Sequence, residues 1–303
     1  MNNLETLNSR FAIADQLRFN LAGDGLVVAE IANAHSSATI CLQGGHVMTW
    51  KPATASAPVV WLSKLAKLAP GKSIRGGAPV CWPWFGAHAS EAGFPGHGHA
   101  RTVPWDVTAT RTLEDGSTEI ALTLVESDAT RAMWPHPSKA EILVNVGKTL
   151  KIALTTRNLG DADFVIGEAL HTYLQIGDIS DVKVLGLEGC EYMDKAGGGV
   201  RKQQDGAITF SGETDRVYVD TEAECVIEDT RLQRRIRIAK SGSRSTVVWT
   251  PWAEKADKMG DFGPDGWRAM VCVESANALE NAVTVKAGTS HTLAVEYSTE
   301  PMH

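Results

Sequence analysis

Five side chains in this sequence have the types and settings that anion binding and proton transfer require. Arg75 and Arg101 punctuate an unusual stretch, Ser73 to Trp105. It reads Ser-Ile-Arg-Gly-Gly-Ala-Pro-Val-Cys-Trp-Pro-Trp-Phe-Gly from Ser73, then a loop, then His-Gly-His-Ala-Arg from His97 to Arg101. Pro79 and Pro83 each remove a backbone donor, so the stretch is neither a continuous helix nor a central strand. A loop pinned by Pro and Trp and carrying two guanidinium forks suits an anion, because each fork offers paired, charge-assisted donors. The alternative is a core loop whose arginines pair with carboxylates. Glu274 follows the apolar run Val271-Cys272-Val273. A carboxylate there is costly to bury alone, so it either caps a neighbouring loop or is held near neutrality for acid–base work. His171 sits mid-strand in Leu170-His171-Thr172-Tyr173, as a hydrogen-bonded structural group or a proton carrier. Asp215, in the run Glu213 to Tyr218, reads on its own as half of an ion-paired turn with Arg216.

The elements that position these residues are mostly strands. Leu26-Val27-Val28, Ala38 to Leu42 and Val59 to Leu62 are short apolar runs, and Asn33 to Ser36 and Gly44-Gly45 supply turns. Trp105 to Thr110 and Glu119 to Val125 form a hairpin about Asp115-Gly116. Ala140 to Val146 alternates and returns through Gly147-Lys148 as Leu150, Ile152, Leu154. Phe164 to Ile176 reads as one strand, with His171, Tyr173 and Gln175 on a polar face and Leu170 and Leu174 on the other. Glu168 then falls on the apolar face, which requires a bulge. Further strands are expected at Arg235 to Ala239, Ser245 to Trp249, Met270 to Glu274, Ala282 to Val285 and Thr292 to Tyr297, with a loop at Gly197 to Gly199. Helical periodicity is nearly absent; short helices are expected only at Ser63 to Leu68 and Ala253 to Lys258. Many short strands with hairpin signals and no linker or repeat point to one all-β domain, residues 1–303.

The totals exclude several classes. A net charge of −7 and a pI near 5.7 argue against nucleic-acid and membrane-surface partners, which lean on basic patches. A small anion needs only two or three local cations. No run approaches the ~18 apolar residues of a membrane span, and Met1 to Phe19 has no apolar core of a secretory signal. The five cysteines are widely spread with no CxxC pair, which fits reduced thiols in a cytoplasm. His97 and His99 complete no metal-ligand set, and no nucleotide-binding, zinc-protease or serine-elbow motif occurs, so no metal or cofactor is expected.

Taken in order, the motifs resemble a known family. Ile74-Arg75-Gly76-Gly77-x-Pro79, Trp82-Pro83-x-Phe85-Gly86, His97-Gly98-x-Ala100-Arg101, Ala169 to Tyr173, Glu213 to Tyr218, Trp249-x-Pro251-Trp252 and Cys272-Val273-Glu274 are similar to those of the D-hexose-6-phosphate mutarotases, or glucose-6-phosphate 1-epimerases, of the aldose 1-epimerase superfamily. The resemblance implies a galactose-mutarotase-like β-supersandwich with few short helices and a sugar cleft on one sheet. It implies His171 as general acid at the ring oxygen and Glu274 as general base at the anomeric hydroxyl, on opposite sides of the ring. Arg75 and Arg101 would hold the phosphate, His97 would bind substrate, and Asp215 would be a sugar-hydroxyl ligand or an orienting group. Two features depart from the family pattern: His99, where a bulky apolar residue is usual, and the long segment 257–267.

The implied chemistry fits these residue types. Exchanging α and β anomers means removing the C1 hydroxyl proton while protonating the ring oxygen, then reversing both on the other face. A carboxylate and an imidazolium suffice. The expected ligand is a small sugar phosphate, and the expected state a monomer. The competing classes are a mutarotase of unphosphorylated sugars, which would not need the two arginines, and a carbohydrate-binding module, which would not need His171 and Glu274.

Overall fold

The structure is a computed structural model, and it describes residues 3–302. Two eight-stranded antiparallel sheets dominate it. The backing sheet runs in the order Val182–Leu185, Cys225–Asp229, Arg234–Ser241, Ser290–Pro301, Leu150–Asn158, Ser138–Val146, Thr118–Leu124, Trp105–Thr112. Its strands alternate between buried and exposed residues, as at Ser138–Val146, where Ala140, Ile142, Val144 and Val146 point inward. That period is expected of a sheet with one face on the core and one in water.

The second sheet runs Val200–Gln203, Glu191–Asp194, Thr214–Tyr218, Ser245–Thr250, Met270–Asn277, Glu168–Leu170, Val80–Cys81, with Tyr173–Gln175 also pairing with Met270–Asn277. Its central strands, Ser245–Thr250 and Met270–Asn277, are buried at every residue. One face meets the core; the other is covered by loops and carries polar groups such as Glu274. A four-stranded meander from Leu17 to Pro52 continues this sheet through isolated bridges, Trp50 to Val60 and Val47 to Ala78 among them. One hydrophobic cluster runs from Leu7 to Tyr297, with Trp50, Trp105, Tyr218 and Tyr297 its largest fully buried side chains.

Several local expectations are corrected. The span Phe164 to Ile176 is three short strands, Phe164–Ile166, Glu168–Leu170 and Tyr173–Gln175, interrupted at Gly167 and at His171-Thr172. Ser63 to Leu68 forms no helix; it is too short to nucleate one and Pro70 follows. Instead, Ser63 Oγ donates to the Asp261 carbonyl at 2.6 Å. Val59 to Leu62 makes only isolated bridges. Two helices escaped the apolar pattern, Leu4–Phe11 and Asp128–Met133. Each starts at a capping side chain: Asn3 Oδ1 accepts from Thr6 N–H, and Ser127 with Thr130 forms a reciprocal box. The helix expected at Ala253 to Lys258 is present as Trp252–Met259. Asp215 and Arg216 are not an ion-paired turn. They lie in the strand Thr214–Tyr218, where alternation sends neighbours to opposite faces; Arg216 reaches Gln204 and the Tyr192 ring.

Glu168 explains the anomaly on its face. It is fully buried between the sheets, where Oε1 accepts from Asn277 Nδ2 at 2.9 Å and meets His291 Nε2 at 3.0 Å. The hydrogen bond to Glu168 is the main cause raising the His291 pKa above its ordinary value. A raised folded-state value stabilises the fold below the unfolded pKa of ~6.5, and that stabilisation is lost as pH rises through the folded value. We expect His291→Gln to be less stable than the native chain by about 1 kcal/mol at pH 5.5. Denaturant unfolding should show the gap closing toward pH 9; a gap that widens with pH would contradict the pairing.

Candidate active site

Register brings His171 and Glu274 together. Leu170 pairs with Ser275 and Tyr173 with Cys272, so the same register sets His171 opposite Glu274. Cross-strand neighbours share a face. Glu274 Oε1 lies 3.3 Å from His171 Nδ1. On the other side of Met270–Asn277, Val247 pairs with Glu274, Trp249 with Cys272, and Asp215 with Trp249. Asp215, Trp249 and Glu274 therefore look the same way as His171 and Tyr173.

These residues floor a cavity of about 330 Å³, at the small end of ligand sites. Arg75, His97, Arg101, His171, Asp215 and Glu274 all line it. The glycine-rich stretch forms one wall and is pinned by its tryptophans: Trp82 Nε1 donates to Thr156 in the backing sheet, Trp84 Nε1 to Pro95 and Trp105 Nε1 to Ala100. Gly98 has φ +73°, and a Cβ there would sit 1.9 Å from the Trp82 carbonyl oxygen, so only glycine lets the His97-to-Arg101 segment lie against Trp82.

The two arginines differ. Arg75 Nε donates to Asp261 Oδ1 at 3.0 Å and Nη1 to the Tyr173 hydroxyl at 2.8 Å, with the guanidinium 5.0 Å above the Phe262 ring. Asp261 and Phe262 belong to the 257–267 segment, which thus braces this wall. Arg101 Nη2 donates to the Gly96 carbonyl, and among the described residues no carboxylate pairs with it. Lys195, just past Glu191–Asp194, lines the cavity with its Nζ 5.2 Å from the Phe85 ring. Sequence reasoning missed Lys195, and nothing in its Asp-Lys-Ala-Gly surroundings marks it. Lys255, also at the cavity, is paired with Glu213.

Burial sets the electrostatics. Glu274 is 1% exposed, and burial, then the Asp215 charge, pushes its carboxyl well above the usual range. Burial also raises Asp215. Burial, then His97 and Arg101, holds His171 well below its ordinary value. Burial, then Arg101 and Lys195, brings His97 down to about 3. Burial thus works against charge on both members of the His171–Glu274 pair. Sequence reasoning set His171 and Glu274 on opposite sides of a sugar ring; the structure sets the two side chains side by side. Adjacent groups suit two oxygens on one carbon, which is what the anomeric hydroxyl and ring oxygen are. His99 does not reach the cavity; it packs edge-on against Trp82 and Trp84 as a buried apolar filler, its pKa lowered by burial to about 4.

Residues 28–298 match the family model for aldose 1-epimerase. The chain belongs to the aldose 1-epimerase family. Two proteins, from Salmonella typhimurium and Escherichia coli K12, are each 38% identical to it. The first alignment covers 84% of both chains, the second 88% of this chain and 89% of the other. Both carry the name "Putative glucose-6-phosphate 1-epimerase". The crystal structure of a Salmonella typhimurium "putative mutarotase (YeaD)" superposes with a TM-score of 0.88 at 34% identity, covering 96% of each chain. A galactose mutarotase related enzyme from Lactobacillus acidophilus shares the fold at 13% identity, with a TM-score of 0.70 over 91% of this chain and 98% of its own. The galactose-mutarotase-like β architecture expected from the motifs is thus the fold of this aldose 1-epimerase family member.

Proposed function

We propose that this enzyme interconverts the α and β anomers of hexose 6-phosphates, with glucose 6-phosphate as the reference substrate. The observation that carries the reading is a buried His–Glu contact on the floor of a cavity walled by three cations, Arg75, Arg101 and Lys195. A phosphate with about −1.5 to −2 charge near pH 7 matches that wall. A neutral sugar would bring Arg101 no anionic partner.

The pair generates its own acid and base. Transfer of one proton over the 3.3 Å from Glu274 to His171 Nδ1 leaves a carboxylate beside an imidazolium. Nδ1 is buried against Glu274, so Nε2 is the ring nitrogen left for substrate. The Glu274 carboxylate takes the C1 hydroxyl proton while His171 gives its Nε2 proton to the ring oxygen. The C1 to ring-oxygen bond breaks and an aldehyde forms. Glu274 now holds a proton and His171 is neutral, the distribution that burial favours. After rotation about C1–C2, His171 takes the hydroxyl proton back, Glu274 protonates the aldehyde oxygen, and the ring closes on the other face. Asp215 serves as a sugar-hydroxyl ligand.

The continuous core from Leu7 to Tyr297 supports reading the chain as one domain, and five free thiols support a cytoplasmic setting. Among the described residues no helix is long and apolar enough to cross a membrane. The test is anomer exchange followed by NMR on glucose 6-phosphate and on free glucose. Acceleration of the phosphate ester well beyond that of glucose is expected; equal acceleration of both sugars, or none of either, would overturn the assignment.

A further inference from the structure

Cys272 has no part in the proton transfers, yet it faces the same side of Met270–Asn277 as Glu274, two residues away. One ligand atom each from His171, Cys272 and Glu274 fall within 4.8 Å of one another. Two of the polar atoms here are orphans: His171 Nδ1 and Glu274 Oε2 are buried without a hydrogen-bond partner. Zinc sits about 2.0–2.1 Å from imidazole nitrogen and about 2.0–2.2 Å from carboxylate oxygen, so tetrahedral ligands of these types stand roughly 3.3 Å apart. The observed Nδ1 to Oε1 separation is 3.3 Å. Sulfur at about 2.3 Å from the metal would stand roughly 3.5 Å from each of them, and the 4.8 Å limit on the three ligand atoms leaves at most about 1.3 Å (4.8 − 3.5) to close.

We propose that His171, Cys272 and Glu274 form an inhibitory site for a thiophilic divalent cation such as Zn²⁺. The ion enters through the cavity and takes Nδ1, a carboxylate oxygen and Sγ as ligands, with its fourth position open to the cavity. Three metal–ligand bonds form. The thiol proton, and the carboxyl proton where present, pass to water. The donor set of one sulfur, one nitrogen and one oxygen selects Zn²⁺ over Mg²⁺ or Mn²⁺, which prefer all-oxygen sites. With its proton pair replaced by a metal, the site can no longer open a sugar ring. That consequence rests on the proposed function, whereas the coordination does not.

The test begins with chelator-treated protein titrated with Co²⁺, a spectroscopic stand-in for zinc. One equivalent should raise a thiolate-to-cobalt charge-transfer band, and Zn²⁺ should remove it. Cys272→Ser should lose the band and bind Zn²⁺ at least about tenfold more weakly, and Glu274→Gln should weaken Co²⁺ binding by a similar factor. In the native enzyme, Zn²⁺ should suppress anomer exchange in step with occupancy, and a chelator should restore it. Absence of the band in native protein overturns the proposal. So does a band that survives in Cys272→Ser but vanishes in Cys190→Ser, since Cys190 is the partly exposed thiol. Should Cys272→Ser fail to fold, undiminished Co²⁺ affinity in Glu274→Gln is equally decisive. If cobalt binds as described but no anomer exchange is found in metal-free protein, the metal site stands and the mutarotase reading falls.

Discussion

Glu274→Gln is expected to lower kcat for anomer exchange by about 10²–10⁴-fold, and His171→Asn to do the same, because each removes one proposed proton-transfer group. Both substitutions nearly preserve shape. Neither should lower the melting temperature. Glu274 is buried with Oε2 unpartnered, so the amide that replaces it breaks no hydrogen bond at that oxygen. The double variant should lose less than the product of the singles, since the proposed acid and base lie 3.3 Å apart and act in one concerted opening. Turnover and melting temperature measured on the same preparations separate chemistry from folding. Stable variants with near-native turnover would sink the assigned roles. Variants that melt early yet keep their per-molecule rate would make the pair a packing feature.

Arg101→Ala is expected to raise KM for glucose 6-phosphate by roughly 10–100-fold while leaving any turnover of free glucose nearly unchanged. A hydrogen bond to a charged group is worth about 1.5–3 kcal/mol, and each 1.4 kcal/mol is a factor of ten. The guanidinium of Arg101 is held by one carbonyl, so its loss leaves no partner charge behind. Arg75→Ala should behave differently. It deprives Asp261 and the Tyr173 hydroxyl of a partner and removes the cation over Phe262, so it should also lower the melting temperature. A pure KM effect from Arg75→Ala, or loss of activity on both sugars from Arg101→Ala, would reverse the division of labour drawn between the two arginines.

The ordered motifs carried the family and the six cavity residues, and the alternation rule carried most of the strands. Tyr173 was legible as a partner of His171 on a polar face because the period of two survives the break between Glu168–Leu170 and Tyr173–Gln175. Glu168 on the apolar face signalled an irregularity, but not that the chain would break both at Gly167 and at His171-Thr172. Asp215 was misread locally, although alternation alone separates it from Arg216. Glu168 needed its partners Asn277 and His291, which the chain supplies from distant strands. Lys195 is a surface-type residue beside a glycine-rich turn, and only the sheet order Glu191–Asp194 to Thr214–Tyr218 delivers it to the cavity. The side-by-side stance of His171 and Glu274 follows from register, which no single strand contains.

That register also makes catalysis a sensor of how the molecule folds. Met270–Asn277 inserts between Ser245–Thr250, its near neighbour in sequence, and Glu168–Leu170, synthesised far earlier. The hairpin-like pairing closes a short loop; the other pairing closes a long one and bears the larger entropic cost. His171 and Glu274 meet only across the second seam. A chain whose backing sheet and hairpins are formed but whose seam is still open has native-like secondary structure and no functional pair. Slipping that seam by one residue would turn either His171 or Glu274 to the core face, so the enzyme's own turnover reports whether this long-range strand pairing has been made in the correct register.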